Sequence, residues 1–466
     1  MSLSEDQTTW PVHVEVRLLE RTSKSFESVR QLVYHYITEN YETIFMPTVL
    51  KDWEVVQALK SSVEKIVISD SVCSHQSLPI GRCSLQIHVY QPIGCTYERM
   101  SMNPSDPSEE YTAGTISELP SKEIDGLWDS LFYEGDVKTR LLNYIQATIG
   151  FSDADVDHNL VSWNRVILLH GPPGTGKTSL CRALAQKLSI RLKERYTKTH
   201  LFEINSHSLF SRWFSESGKL VQNLFSTVGD MAKEDDEFIV LLIDEVESLT
   251  SARAGVMSGT EPSDALRVVN ALLTQIDRLK YQKNVLIMAT SNLAKAIDSA
   301  FVDRADIAEY IDYPPAGAIY GILRSSLVEL MEKNIVEKLV VPTMESAILA
   351  HRIRSGNTVS EEQDPVKTMY QLSLGSTTDS QELGSRLYAI AEKCRGTSGR
   401  SLRRLPVLAH ARYIGLMPVK TKGVSKPNGQ TGPNSASRSQ PISVGVWLAA
   451  MQKVVDDESF NRQRFQ

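Results

Sequence analysis

The feature that most constrains this chain of 466 residues is a glycine-rich loop that ends in Gly-Lys-Thr. The loop follows an apolar run at 166–169 and precedes a helix-forming stretch at 179–188. Inward-turned backbone N–H groups and a helix N-terminus together hold phosphate oxygens, so this order predicts a site for a nucleoside triphosphate. The phosphate-binding residues expected from the motif are Gly171, Pro172, Pro173, Gly174, Thr175, Gly176, Lys177 and Thr178.

Four side chains of this motif and of a second apolar run suit the hydrolysis of a nucleoside triphosphate. Lys177 is expected to reach the β- and γ-phosphates, and Thr178 to ligate Mg²⁺. The second run, 238–243, ends in Asp244 and Glu245. Because phosphoryl transfer depends on positioning and charge stabilisation, we expect Asp244 to hold Mg²⁺ and Glu245 to act as general base for water. The alternative, a solvated strand end, is disfavoured by the position downstream of the phosphate loop.

A third apolar run, 285–290, is followed by Ser291 and Asn292. Ligand-binding groups lie at the carboxyl ends of parallel strands, so Asn292 is expected to face the γ-phosphate or the attacking water. An isolated Asn after a strand is more often a turn residue, because its side chain replaces backbone hydrogen bonds. The functional interpretation is favoured because Asn292 follows the third of three apolar runs, after the phosphate loop and the pair Asp244 and Glu245.

These motifs together resemble a known family. The chain is similar to the AAA+ ATPases in GPPGTGKT at 171–178, LLIDEVESL at 241–249 and ATSN at 289–292. More closely, it resembles the pachytene checkpoint ATPases, hexameric remodellers of HORMA-domain proteins, over roughly residues 115–460. The runs that carry this closer resemblance lie at 205–221, 259–277, 300–307 and 396–406.

The resemblance implies roles for two arginines. Arg304 matches an arginine finger that points into the neighbouring subunit's nucleotide site, which would make hydrolysis depend on a homo-hexamer. Its alternative is a surface salt bridge with Asp303 or Asp306. Arg400 matches a second sensor that reaches from the lid to the phosphates of its own subunit.

The resemblance also implies a substrate-gripping loop at Arg212, Trp213 and Phe214. Bulky aromatic side chains can grip an unfolded segment through packing that any sequence offers. Without the resemblance, the ordinary interpretation is a core Trp-Phe pair. A second pore-facing loop is expected at 259–264.

The expected fold is α/β: a P-loop AAA+ motor with a parallel sheet and flanking helices, a helical lid and a small N-terminal α+β domain. Alternating apolar residues at 12–16 and 85–89 predict strands in the N-terminal domain, and a helix is predicted at 26–36. The predicted divisions are an N-terminal recognition domain (1–100), a flexible linker (101–121), the large ATPase domain (122–313) and the lid (314–466), with lid insertions near 354–382 and 420–442.

Composition narrows the classes of partner. A net charge of −6 and a pI near 6.0 argue against a motor that tracks nucleic acid, which normally carries a basic surface. Apolar runs are far shorter than the ~18 residues of a transmembrane helix, so no membrane association is expected. We expect the five cysteines to be reduced thiols in a nuclear or cytoplasmic protein.

The sequence therefore predicts an ATP- and Mg²⁺-dependent remodeller. Its expected partners are HORMA-domain proteins, reached through a HORMA-type adaptor, in meiotic recombination, chromosome synapsis and spindle checkpoint control. The alternative is a nucleotide-regulated oligomeric scaffold in which hydrolysis is slow or incidental.

Overall fold

The structure is a computed structural model of the chain. It describes residues 9–22, 24–73, 75, 77–94, 97–101, 112–157, 159–206, 217–248, 264–292, 297, 299–354, 378–415 and 441–465. These residues fall into two compact units. The first draws on Met1–Trp128, Arg140–His170 and Lys177–Tyr310, and the second on Asp129–Thr139, Gly171–Gly176 and Ile311–Gln466.

The first unit begins with a four-stranded sheet in the order β3-β4-β1-β6. Val12, Val14 and Val16 are fully buried because alternate residues of β1 point to the face that packs against helix α1. Ser25 caps that helix by accepting a hydrogen bond from the N–H of Ser28. The predicted α+β domain is thus confirmed. Its elements are β1 (Trp10–Leu18), α1 (Phe26–Asn40), β2 (Thr43–Phe45), β3 (Thr48–Val49), α2 (Gln57–Lys60), β4 (Val63–Ser71), β5 (Ser77–Pro79) and β6 (Cys83–Tyr90).

A second sheet of seven strands has the order β13-β9-β12-β11-β10-β8-β7. The five strands from β13 to β10 are parallel. Parallel strands are joined by crossover connections, which place helices on the faces of the sheet. Every residue of β12 is buried, which explains its unbroken apolar sequence. The strands are β7 (Tyr97–Ser101), β8 (Thr112–Leu119), β9 (Val166–His170), β10 (Lys198–Asn205), β11 (Glu237–Asp244), β12 (Val285–Ser291) and β13 (Ile307–Tyr310).

The helices of this part are of unequal length, and the longer ones flank the seven-stranded sheet. Among the described residues, no helix is both long and apolar enough to cross a membrane. The helices are α3 (Leu127–Ser130), α4 (Val137–Asp153), α5 (Lys177–Arg191), α6 (Ser217–Met231), α7 (Asp264–Leu279) and α8 (Ser299–Val302).

The prediction of a flexible linker at 101–121 is wrong for residues 112–119. They form β8, which pairs antiparallel with β10 and extends the ATPase sheet. Because the partner strand lies about 80 residues later, the Ser- and Pro-rich composition around 101–121 gave no sign of this pairing. Residues 102–111 lie outside the described part of the chain.

The N-terminal domain contacts helix α5 of the ATPase domain through charged side chains. Lys187 forms an ion pair with Glu15, and their side chains are only 4% and 11% exposed. Arg191 contacts Asp70 with both Nη2–Oδ distances at 2.5 and 2.7 Å. These contacts hold the domain in one place in this structure, in contrast to the mobility that a flexible linker implied.

The second unit is helical, as predicted for the lid. Pro315 precedes its first long helix, because proline lacks the N–H that a helix interior requires. The outer residues of both predicted insertions lie in regular structure: Arg354 and 378–382 are helical, and Ile442 bridges Val336. The remaining residues, 355–377 and 416–440, lie outside the described chain. The helices are α9 (Ala316–Glu332), α10 (Met344–Arg354), α11 (Thr378–Lys393), α12 (Gly399–Leu402), α13 (Leu405–Ala409) and α14 (Val444–Phe465).

Candidate functional site

The phosphate loop has a backbone that only glycine adopts without strain at three positions. Gly171, Gly174 and Gly176 have φ values of 144°, 77° and 96°. A Cβ on Gly171 would lie 2.2 Å from the carbonyl oxygen of Ile311. A Cβ on Gly176 would lie 3.0 Å from the hydroxyl of Tyr133. The loop therefore has the close-packed, turned backbone that phosphate binding requires.

Within the second unit, the predicted sensor arginine lies beside this loop. The N–H of Arg400 donates to the carbonyl of Gly174 at 3.2 Å. A Cβ on Gly174 would lie 2.9 Å from the hydroxyl of Ser398, which caps α12. Tyr133 also donates to the carbonyl of Gly176 at 3.2 Å. Tyr133 belongs to no recognisable sequence motif, so the sequence analysis did not identify it.

In the first unit, Asp244 is the centre of a hydroxyl network at the end of β11. Its Oδ1 accepts a hydrogen bond from Thr178 at 3.0 Å and another from Thr290. Thr178 lies in the first turn of α5, and Thr290 lies near the end of β12. Two predicted residues, Thr178 and Asp244, are thus brought together. Thr290 belongs to the ATSN run but was not singled out as a site residue.

Lys177 begins α5 and is only 4% exposed. Burial lowers the pKa of its ammonium group, while the carboxylates of Glu247 and Asp244 act in the opposite direction. A buried cation that faces two carboxylates is well suited to receive phosphate oxygens, which supply more negative charge at short range.

Glu245 has an unusual backbone conformation. Its φ is 61°, a left-handed value that costs a non-glycine residue of the order of 1–3 kcal/mol. Its N–H donates to the hydroxyl of Thr290 at 3.3 Å, and its carbonyl accepts from Ser206 at 2.7 Å. Such strain is held in place by surrounding contacts and is concentrated at functional sites. This geometry supports the prediction that Glu245 is a site residue.

Asn292 directly follows β12, and its N–H donates to Oε1 of Glu247 at 3.2 Å. Glu247 thus contacts the backbone of Asn292 and exerts its charge on Lys177. Sequence reasoning did not select Glu247, although an acidic residue two positions after Glu245 was the available signal.

Arg304 forms a salt bridge in the structure, but with neither of the expected residues. Its Nε and Nη2 donate to the two carboxylate oxygens of Asp277 at 2.9 and 2.8 Å. Asp306 instead accepts hydrogen bonds from Asn164 and Tyr144. The expectation of a bridge to Asp303 or Asp306 missed this partner because Asp277 is 27 residues away in sequence. Arg212, Trp213 and Phe214, and most of the loop at 259–264, lie outside the described residues.

Three protein families match successive parts of the chain. Residues 7–94 match the TRIP13 N-terminal domain. Residues 167–313 match the ATPase family associated with various cellular activities (AAA). Residues 315–423 match the TRIP13-like AAA+ ATPase lid C-terminal domain. The predicted fold class is therefore confirmed.

Individual proteins are similar over most of the chain. The pachytene checkpoint protein 2 homolog of Danio rerio is 42% identical over 419 residues, which cover 88% of this chain and 91% of that protein. The homolog of Homo sapiens is 45% identical over 379 residues, covering 78% and 80%. The solved structure of C. elegans PCH-2 has a TM-score of 0.68 at 30% identity and covers 96% of this chain and 99% of its own.

Proposed function

Because the chain belongs to the pachytene checkpoint protein 2 (TRIP13-like) family of AAA ATPases, we propose that it uses ATP hydrolysis to remodel HORMA-domain proteins. That it is an ATPase follows from the family, and the remodelling is the proposal. The observation that carries it is the contact between Thr178 and Asp244, which joins the phosphate-loop helix to the catalytic strand in a chain with a TRIP13-type N-terminal domain.

Each predicted residue has a defined task in this reaction. Lys177 places a positive charge against the terminal phosphates, and Glu245 accepts a proton from the attacking water. Asn292 orients that water or the γ-phosphate. Arg400 reports on the phosphates from the lid. The chemistry requires only positioned charges, because the protein forms no covalent bond to the phosphoryl group.

Magnesium fits the pair formed by Thr178 and Asp244. A hydroxyl and a carboxylate oxygen lie 3.0 Å apart there, and Mg²⁺ prefers oxygen ligands of these types. When bound, Mg²⁺ would neutralise charge on the phosphate oxygens. Thr178 and Asp244 are the residues that would hold it.

The proposal includes a homo-hexamer in which Arg304 serves the neighbouring subunit's site. Arg212, Trp213 and Phe214 then grip a segment of the substrate in the central pore, with a HORMA-type adaptor presenting that substrate. We place this activity in the nucleus and cytoplasm, at meiotic chromosomes during recombination and synapsis and in spindle checkpoint control. Family membership and the sequence motifs support these assignments.

The assembly is tested by mixing Arg304→Ala subunits with Glu245→Gln subunits over several ratios and measuring phosphate release. Each variant alone should be nearly inactive. Arg304→Ala lacks the trans arginine, which contributes a factor of about 10³–10⁵ in rate, and Glu245→Gln lacks the general base. Activity should recover on mixing, because some interfaces then combine an intact base with an intact arginine. No recovery in rings confirmed by light scattering would contradict the trans role of Arg304.

Remodelling is tested with a purified HORMA-domain protein closed on a fluorescent partner peptide. ATP should release the peptide when the wild-type chain is added, with and without the adaptor as separate arms. Glu245→Gln binds ATP but does not hydrolyse it, so it should release none. If Glu245→Gln acts as well as the wild type, the scaffold function replaces the remodeller.

A further inference from the structure

The guanidinium group of Arg304 donates hydrogen bonds to groups on two helices, α7 and α8. Nε and Nη2 donate to Oδ1 and Oδ2 of Asp277 at 2.9 and 2.8 Å, and Nη1 donates to the carbonyl of Ala300 at 2.6 Å. Two parallel N–H···O bonds to one carboxylate define both the position and the plane of a guanidinium. The orientation of Arg304 is therefore specified by Asp277.

Both ends of this contact are anchored in the core of the ATPase sheet. Asp277 lies in the last turn of α7, whose residues Val269, Leu272 and Ile276 are each 1% exposed. Arg304 follows α8, and its N–H donates to the carbonyl of Phe301, which is also buried. The carboxylate thus fixes a long side chain, which would otherwise sample many rotamers, against a packed helix.

The pair contributes little to the stability of the subunit itself. The side chain of Arg304 is 27% exposed and that of Asp277 is 43% exposed. Ion pairs at such partly exposed positions contribute little to stability, because water screens them. Partial exposure also leaves the guanidinium accessible from solvent, as a group that serves a second subunit must be. These exposures indicate that Asp277 orients the guanidinium of Arg304 and adds little to the stability of the subunit.

We propose that Asp277 is the positioning residue for Arg304: it holds the guanidinium in the orientation in which Arg304 serves the neighbouring subunit's ATP. This inference rests on the proposed trans role of Arg304. A catalytic group displaced by 1 Å can lose about 10²-fold in rate, so the loss of a two-point contact has a large effect without touching substrate.

The test compares Asp277→Asn with Asp303→Asn in the full-length chain. Both variants remove one negative charge, but Asp303 is an exposed residue and only Asp277 forms the fork. Asp277→Asn should lower kcat for ATP by about 10–10²-fold and leave KM within about twofold, because the defect lies in orientation of a trans group. Asp303→Asn should match the wild type. Asp277→Glu, which keeps the charge, should recover part of the rate.

Two further measurements separate orientation from a general structural defect. Asp277→Asn/Arg304→Ala should be no slower than Arg304→Ala alone, because Asp277 acts only through Arg304. Asp277→Asn subunits should regain activity when mixed with Glu245→Gln subunits, which supply an intact Asp277 and Arg304 from the neighbouring position. Light scattering and thermal melts check that each variant assembles. If Asp277→Asn does not assemble, Asp277→Glu replaces it in the mixing experiment with Glu245→Gln subunits.

The outcomes distinguish this inference from the proposed function. If Arg304→Ala retains activity or is not rescued by mixing, the trans role fails and the inference falls with it. If Arg304→Ala behaves as expected but Asp277→Asn has wild-type kcat, only the role of Asp277 is overturned. A faster Asp277→Asn enzyme also overturns it, since Asp277 would then restrain Arg304 from its task.

Discussion

The hydroxyl of Thr178 donates to Oδ1 of Asp244 across 3.0 Å, although 66 residues separate them in sequence. One residue belongs to the first turn of α5 and the other ends β11. Parallel strands end at the same edge of a sheet, so the first turn of α5 and the last residue of β11 meet there. Thr290 of β12, the strand between β9 and β11, also donates a hydrogen bond to Oδ1 of Asp244.

Replacing Thr178 with Val should abolish most ATP hydrolysis while preserving the shape of the side chain. The change removes a hydroxyl that contacts Asp244, and losing one polar group from a preorganised site costs about 10²-fold or more in rate. Steady-state phosphate release measures the effect. Thr274→Val is the matched control, because the Thr274 hydroxyl donates to the carbonyl of Asn270 on its own exposed helix face. Equal rates for the two variants would contradict the assignment.

Gly171 should be far less tolerant of alanine than Gly126. Both have positive φ values, 144° and 72°, so both variants carry the strain of an L-residue in that region. At Gly171 the new Cβ would lie 2.2 Å from the backbone oxygen of Ile311, whereas at Gly126 no atom of the described residues lies within 4 Å. We expect Gly171→Ala to weaken binding of a fluorescent ATP analogue by about tenfold or more, because the loop must shift. Gly126→Ala should bind the analogue with wild-type affinity. If both variants lose affinity to a similar extent, the effect comes from the positive φ and not from the contact with Ile311.

The motifs were predictable because their signals are local. The glycine loop, the apolar runs that become β9, β11 and β12, and the polar residues at their ends occupy short windows of sequence. Parallel-sheet topology then brings the strand ends together without further information. Lys177, Asp244 and Glu245 could therefore be predicted from the sequence to lie near one edge of the sheet.

The unpredicted contacts join residues for which no local pattern specifies a partner. Asp277 is one of many acidic residues on helix surfaces, and only the packing of α7 beside α8 brings it to Arg304. The pairing of β8 with β10 depends on strands far apart in sequence. Glu15 alternates with valines as an ordinary outward-facing strand residue would, yet that face of β1 is covered by α5.

Replacing Lys187 with Met should destabilise the first unit by about 3 kcal/mol. The change removes the cation nearest the buried carboxylate of Glu15 and leaves Arg191, whose Nε lies 3.9 Å from Oε1 of Glu15. Lys187 also donates to the hydroxyl of Ser69 at 2.7 Å, which strengthens the expectation. The control is Lys233→Met, which removes an ion pair with Asp230 whose side chains are 72% and 70% exposed. Hydrogen exchange in β1 and thermal melts provide the measurement.

A double variant makes the same test quantitative. Glu15→Gln/Lys187→Met should be less destabilised than the sum of the two single variants, since removing both charges leaves neither one unpaired. If Lys187→Met melts at the same temperature as Lys233→Met, the docking of the N-terminal domain does not depend on this pair.

The stability of the first unit should fall as pH decreases from about 6.5 to about 4, through the stacked pair His13 and His88. Burial, then the neighbouring Arg191, lowers the pKa of His13 to about 4. Burial, then His13, lowers the pKa of His88 to about 3. Their surroundings also carry charged side chains, namely Lys187, Arg30, Glu15 and Asp70.

The sign follows from proton binding in the two states. The unfolded imidazoles bind protons below about pH 6.5, whereas the folded ones stay neutral until pH 4 or lower, so acid favours the unfolded chain in this window. His13→Gln/His88→Gln should therefore show a shallower loss of melting temperature between pH 6.5 and 4.5 than the wild type. His35→Gln, which changes an exposed histidine of α1, should keep the wild-type slope. If the double variant also keeps that slope, carboxylates and not this pair govern the acid sensitivity.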